Sequence, residues 1–124
     1  MTLRREPPAG PLPDSFLPLA KDVFHILVSL ADQDRHGYSV MQDVADRTSG
    51  AVRLSPSSLY SAIRRLLEQG LITELAERPA QDDERRRYYR LTPLGRAVAQ
   101  VEIRRMEQLL ASARQVGLIP GATQ

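Results

Sequence analysis

A mainly α fold carrying one small antiparallel β-ribbon is predicted by three features of this sequence. Helical apolar spacing recurs along the chain, two short runs of strand-forming residues flank a polar stretch, and a long amphipathic segment follows them. The 124 residues suit one domain, and 42% hydrophobic residues are enough for a single core. Cysteine is absent, which excludes disulfides, thiolate metal sites and thiol nucleophiles together. Only His25 and His36 remain as imidazoles, and no HExxH, Walker or GxSxG pattern occurs. An enzyme is not expected, and neither is a cofactor or a resident metal.

The elements follow in order. Residues 1–13, MTLRREPPAGPLP, hold four of the nine prolines and no long apolar run, so a disordered arm is expected over residues 1–16. It reads as neither a secretory leader nor a membrane span, and nowhere do eighteen apolar residues run together; a cytoplasmic chain with no membrane partner is expected. Leu19 to Ala31 is apolar on nearly all sides, which marks a central, covered helix, with His25 a packed group within it. DQDRHG breaks that pattern. A second helix follows from Gly37, with Val40, Met41, Val44, Ala45 and Thr48 on one face and Gly50 as its stop. Val52 to Leu54 has room for one edge strand at most.

The next helix has the clearest punctuation: Ser55 is its N-cap, Pro56 its first residue and Gly70 its terminator after Gln69. LITELAE then reads as a strand, RPAQDDERR as a polar connection and RYYRL as a returning strand with Tyr89 and Leu91 on one face. Thr92 and Pro93 open a last helix running to about Val116, which Gly117 and Pro120 end.

Two helices in close succession, the second followed by a ribbon with a basic connection, form the pattern of a winged helix-turn-helix. The domain is expected over residues 17–92, with a dimerisation helix over 93–117 and a disordered tail over 118–124. On the second of those helices Leu59, Ile63, Leu66 and Leu67 form an apolar stripe, and Ser57, Ser58, Ser61, Arg64, Arg65 and Glu68 lie opposite. Small hydroxyl residues near a helix N-terminus allow close approach to DNA, and arginine reaches phosphate or base edges. Residues 53–65 carry Arg53, Arg64 and Arg65 with no acidic residue. The plainer alternative is a solvated helix face with capping serines.

The ribbon follows the same logic. From Arg78 to Arg90, Arg85, Arg86 and Arg87 sit beside Asp82, Asp83 and Glu84, leaving that stretch net positive. Three adjacent arginines can lie against a groove, although such a run is also common at a solvated hairpin tip. Sixteen of the seventeen basic residues are arginine, a choice that suits bidentate phosphate contacts and equally follows from GC-rich coding.

These residues resemble the PadR-like family of transcriptional regulators. The resemblance runs through LPLAKDVFHILVSLAD, HGYSVMQDV, LSPSSLYSAIRRLLEQGLI and RRRYYRLTPLGRAV, in that order. Ser57 and Ser58 stand where the family usually has Gly-Thr before Leu59 and Tyr60. Gly37 with Tyr38 matches its Gly-Tyr pair, and Tyr89, Leu91, Thr92 and Gly95 match its wing-to-helix junction. The resemblance implies a homodimeric repressor of double-stranded DNA, with Tyr60 among the DNA-facing residues. In some members it implies a small-molecule effector in or near the dimer interface, in certain cases stacked on tryptophan; this chain has no tryptophan, so no residue is carried over for that site.

The last helix changes its apolar face along its length. Leu94, Ala97, Val98 and Val101 share one side, whereas Met106, Leu109, Leu110, Ala113 and Val116 cluster roughly 100° further round. The first group fits its own domain. The second is expected to meet the same helix of a second copy, the alternative being that both fold back on one monomer. The function expected is a sequence-specific regulator acting as a homodimer on a two-fold operator; the alternative is a winged helix that binds protein and no DNA.

Overall fold

The computed structural model describes residues 11–76 and 86–120. Its elements are a short 3-10 helix at Pro13–Phe16, α1 (Lys21–Asp32), β1 (Arg35–His36), α2 (Gly37–Arg47), α3 (Pro56–Glu68), β2 (Ile72–Glu74), β3 (Tyr88–Leu91) and α4 (Pro93–Gln115). The mainly α fold with a small antiparallel wing is as the sequence predicts. No helix among the described residues is long and apolar enough to cross a membrane.

Two details differ from the sequence reading. Pro13–Phe16 is helical, and Phe16 packs against the core, so the ordered chain begins before residue 17. The short extra strand lies at Arg35–His36 rather than at Val52–Leu54. Val52 and Leu54 are buried core residues on an irregular stretch, and the Val52 N–H donates to Thr48 Oγ1 at 3.0 Å instead of to a neighbouring strand. That hydroxyl supplies the hydrogen bond a ladder would otherwise provide.

The core joins every main element. Ile26, Leu27 and Leu30 of α1 meet Val40 and Val44 of α2, Leu59, Ile63 and Leu66 of α3, Tyr89 and Leu91 of β3, and Val98 of α4. The sheet order is β1-β3-β2, all antiparallel, with Arg35 opposite Tyr89 and Ile72 opposite Leu91. Alternation along β3 buries Tyr89 and Leu91 and leaves Arg90 exposed. Arg90 forms a two-pronged contact with Asp34, at 3.1 and 2.7 Å, that fastens β3 to the loop between α1 and β1.

The start of α4 is stitched to the end of α3. Thr92 Oγ1 accepts from the Gly95 N–H at 3.0 Å as N-cap and donates to the Gly70 carbonyl at 2.7 Å. Gly95 is buried against the Leu71 carbonyl, so close that no β-carbon could stand there. Further along, Glu102 is 1% exposed. Its Oε2 accepts from the Leu19 N–H at 3.1 Å, and Arg105 donates to both carboxylate oxygens. The hydrogen bond from Arg105, opposed by burial and helped by Leu19, holds the Glu102 carboxyl below the usual carboxylate range.

Candidate nucleic-acid interface

The capping signals of α3 work as the sequence proposes. Ser55 Oγ accepts from the Ser58 N–H at 3.1 Å, Pro56 occupies the first turn, and Gly70, at a φ of +76°, closes the other end. Leu59, Ala62, Ile63 and Leu66 are thereby turned inward, and Ser57, Ser58, Tyr60, Ser61, Arg64, Arg65 and Glu68 are exposed. The face is uninterrupted by any apolar side chain larger than the Tyr60 ring.

Arg64 and Arg65, adjacent in sequence, diverge by about 100° round the helix. Arg65 lines a groove shared with Pro11, Ser15 and Phe16 on the N-terminal side. Arg64 follows Tyr60 by one helical turn on the same side of α3, and Tyr60 lines a cleft with Arg86 and Arg87. Arg53 is exposed in the stretch leading into α3 and folds back toward Gly50, whose φ is +83°.

Arginines elsewhere in the domain are spent on structure. Arg35 bridges Asp32 at 2.7 Å and Asp43 at 3.3 Å, and Arg47 bridges the same two carboxylates at 3.0 and 2.7 Å. Burial works upward on Asp43, but the Arg47 hydrogen bond and the Arg35 charge outweigh it and hold its carboxyl low. Arg90 and Arg105 are paired as described above. By contrast, Arg53, Arg64 and Arg65 have no carboxylate partner among the described residues, a property they share with Arg96, Arg104 and Arg114 of α4. An arginine without a partner keeps its full charge for an outside anion.

The wing arginines are placed unequally. Arg85 lies outside the described residues. Arg86 is exposed but its guanidinium approaches His36 Nε2 at 3.1 Å, and Arg87 stands 3.8 Å from Glu74. His36 in turn caps α2, its Nδ1 accepting from the Ser39 N–H at 3.3 Å, and its ring meets Tyr88 edge to face at 5.2 Å. The base of the wing is therefore keyed to the first turn of α2.

That junction was only partly legible. Tyr38 enters the sequence reading as half of a Gly-Tyr pair, yet it is exposed and lines one cleft with Tyr60. The signal available was its position off the Val40, Met41 and Val44 face. On the distal half of α4, Leu109, Leu110 and Val116 are exposed, while Met106 and Ala113 are half-buried. Ile103 and Leu118 extend the same exposed apolar set and were not anticipated. Glu102 was missed as well; it continues the buried series Gly95, Val98, Ala99 at helical spacing.

A three-helix core whose capped third helix and adjoining β-ribbon lie on one surface defines a winged helix-turn-helix protein. A match to the transcriptional regulator PadR-like family covers residues 26–101, and the chain belongs to that family. The chain is similar to the transcriptional regulator Rv3488 of Mycobacterium tuberculosis, with 37% identity over 92 residues, 74% of this chain and 78% of that protein. It is 33% identical over 72 residues to an uncharacterised protein of Lysinibacillus sphaericus, spanning 58% of this chain and 65% of that one. In fold it matches a PadR family transcription regulator from Clostridium difficile, with a TM-score of 0.67 and 22% identity, covering 78% of this chain and 98% of the other.

Proposed function

We propose that this protein is a sequence-specific DNA-binding repressor that acts in the cytoplasm as a homodimer on a two-fold operator. The observation that carries the reading is the exposed face of α3, where Ser57, Ser58, Ser61, Arg64 and Arg65 meet solvent and both arginines lack a carboxylate partner among the described residues. Helix α3 enters the major groove, and Arg53, with Arg85, Arg86 and Arg87 of the wing, meets the flanking backbone. The exposed apolar side chains of α4 support pairing with a second copy. Release by a small molecule is carried over from the family resemblance, with no residue assigned to it.

The test is a binding series on duplexes selected from random DNA, measured at several salt concentrations. Log affinity falls linearly with log salt if phosphates are contacted, and Arg85, Arg86 and Arg87 changed together to glutamine make the line shallower. Arg64→Ala or Arg65→Ala weakens binding by about 1 to 3 kcal/mol where the arginine reads a base, and relaxes preference at that position. A chain that binds no duplex at low salt is instead a winged helix serving protein contacts. A reporter placed downstream of the selected site decides between repression and activation.

A further inference from the structure

Beside the recognition face lies a cleft of about 390 Å³ lined by His36, Gly37, Tyr38, Tyr60, Arg86 and Arg87, with Tyr89 at its floor. We propose that this cleft seats a single phosphate of the DNA backbone, to which Tyr38 and Tyr60 donate hydrogen bonds while Arg86 and Arg87 supply positive charge. The proposal rests on the DNA-binding reading and specifies where that reading fixes the register of the duplex.

Four observations carry it. Tyr38 and Tyr60 are 56% and 48% exposed, so both phenols are open to a partner from outside. The Tyr60 hydroxyl makes no hydrogen bond among the described residues. The Tyr38 hydroxyl accepts from Gln42 Nε2 at 3.3 Å, which leaves its own proton to donate outward. Tyr60 is also one residue from Ser61 on α3 and faces the wing, so an anion in the cleft borders the surface that would enter the groove.

The lining is matched to an anion. Two phenols donate, two guanidinium groups flank them, and the first turn of α2 points its partly positive end at the same space. No carboxylate lines the cleft among the described residues; Glu74 reaches Arg87 from outside at 3.8 Å. His36 stands behind Arg86 and fixes where its charge lies. Phosphate contacts of this kind set orientation and register without reading sequence.

Tyr38→Phe and Tyr60→Phe keep both rings and remove only the donors, so folding is preserved and is verified by an unchanged melting curve. Each weakens binding about 3- to 10-fold on specific and random duplexes alike, with the salt dependence unchanged because a neutral donor releases no counterion. Arg87→Gln lowers the salt slope by about 1. The decisive experiment replaces each phosphate of a selected duplex singly with an uncharged methylphosphonate. One position per half-site weakens wild-type binding strongly, and there and nowhere else the penalty shrinks in the Tyr38→Phe, Tyr60→Phe double variant and shrinks further when Arg87→Gln is added. If the double variant binds as tightly as wild type, or repeats its full pattern of penalties, the phosphate seat is refuted while DNA binding stands. If wild type binds no duplex in a salt-dependent manner, the DNA reading falls and the seat with it.

Discussion

The phenol of Tyr60 fills the space that a β-carbon on Gly37 would need, with its oxygen 2.5 Å and its Cζ 2.8 Å from that position. The two residues belong to α3 and α2, so a residue with no side chain on one helix lets an aromatic ring of the next lie against its backbone.

Gly37→Ala therefore displaces the Tyr60 ring. The atoms in the way are the far end of a side chain, which can swing into solvent, so the cost to stability is about 1 kcal/mol. DNA binding falls because Tyr60 leaves its place. Melting curves and binding assays on the same variant separate the two effects: a variant that binds as wild type would show that the ring position is unimportant.

Gly95→Ala has a harsher outcome. The new methyl group meets the Leu71 carbonyl, which is backbone, and Leu91 Cδ1 at 2.7 Å. The carbonyl cannot swing aside, so α4 must shift from the α3–β2 corner, and destabilisation of about 3 kcal/mol is expected from overpacking. The denaturant midpoint measures it; a loss below about 1 kcal/mol would mean that α4 slides freely.

Glu102→Gln tests the buried carboxylate. Because its folded pKa is depressed, Glu102 contributes stability fully present above the ordinary carboxylate range and lost as pH falls through the lower folded value. The variant is less stable at neutral pH by about 1 to 3 kcal/mol, and its stability falls less steeply on acidification. Asp43, also depressed, keeps part of the acid dependence in both proteins. Melting temperatures from neutral to acid pH are the measurement, and parallel curves would contradict the assignment.

Leu110→Glu places a charge among the exposed apolar residues of distal α4. On the proposed reading as a DNA-binding homodimer, it is expected to convert dimer to monomer in light scattering and to abolish operator binding, although Leu110 lies outside the predicted DNA-facing set. A wild-type protein that is monomeric at micromolar concentration would remove that interface, and a variant that remains dimeric would relocate it.

The sequence was most legible where local chemistry decides the outcome. Ser55, Pro56 and Gly70 delimit α3, and Thr92 with Pro93 starts α4, because caps and prolines act within one turn. Partners distant in sequence were opaque. Arg35–His36 is a strand only because Tyr88 and Tyr89 arrive to pair with it, and nothing in DQDRHG signals that. Glu102 is buried because Leu19 and Arg105 satisfy its carboxylate, a condition that composition does not display. The serines and arginines of α3 were identified by face, but the cleft beside them needed the wing and α2 to be brought together.

The double anchoring of α4, at Gly95 against Leu71 and at Glu102 against Leu19, also makes the helix a rigid arm rather than a tether. In a pair joined through the distal parts of α4, the gap between the two α3 helices then behaves as a calliper of fixed opening. Each added base pair between half-sites lengthens that gap by about 3.4 Å and rotates one half-site by roughly 35°, since a turn holds 10 to 10.5 base pairs. A calliper cannot follow both changes. Spacing between half-sites would consequently discriminate among genomic sites as sharply as the bases within them.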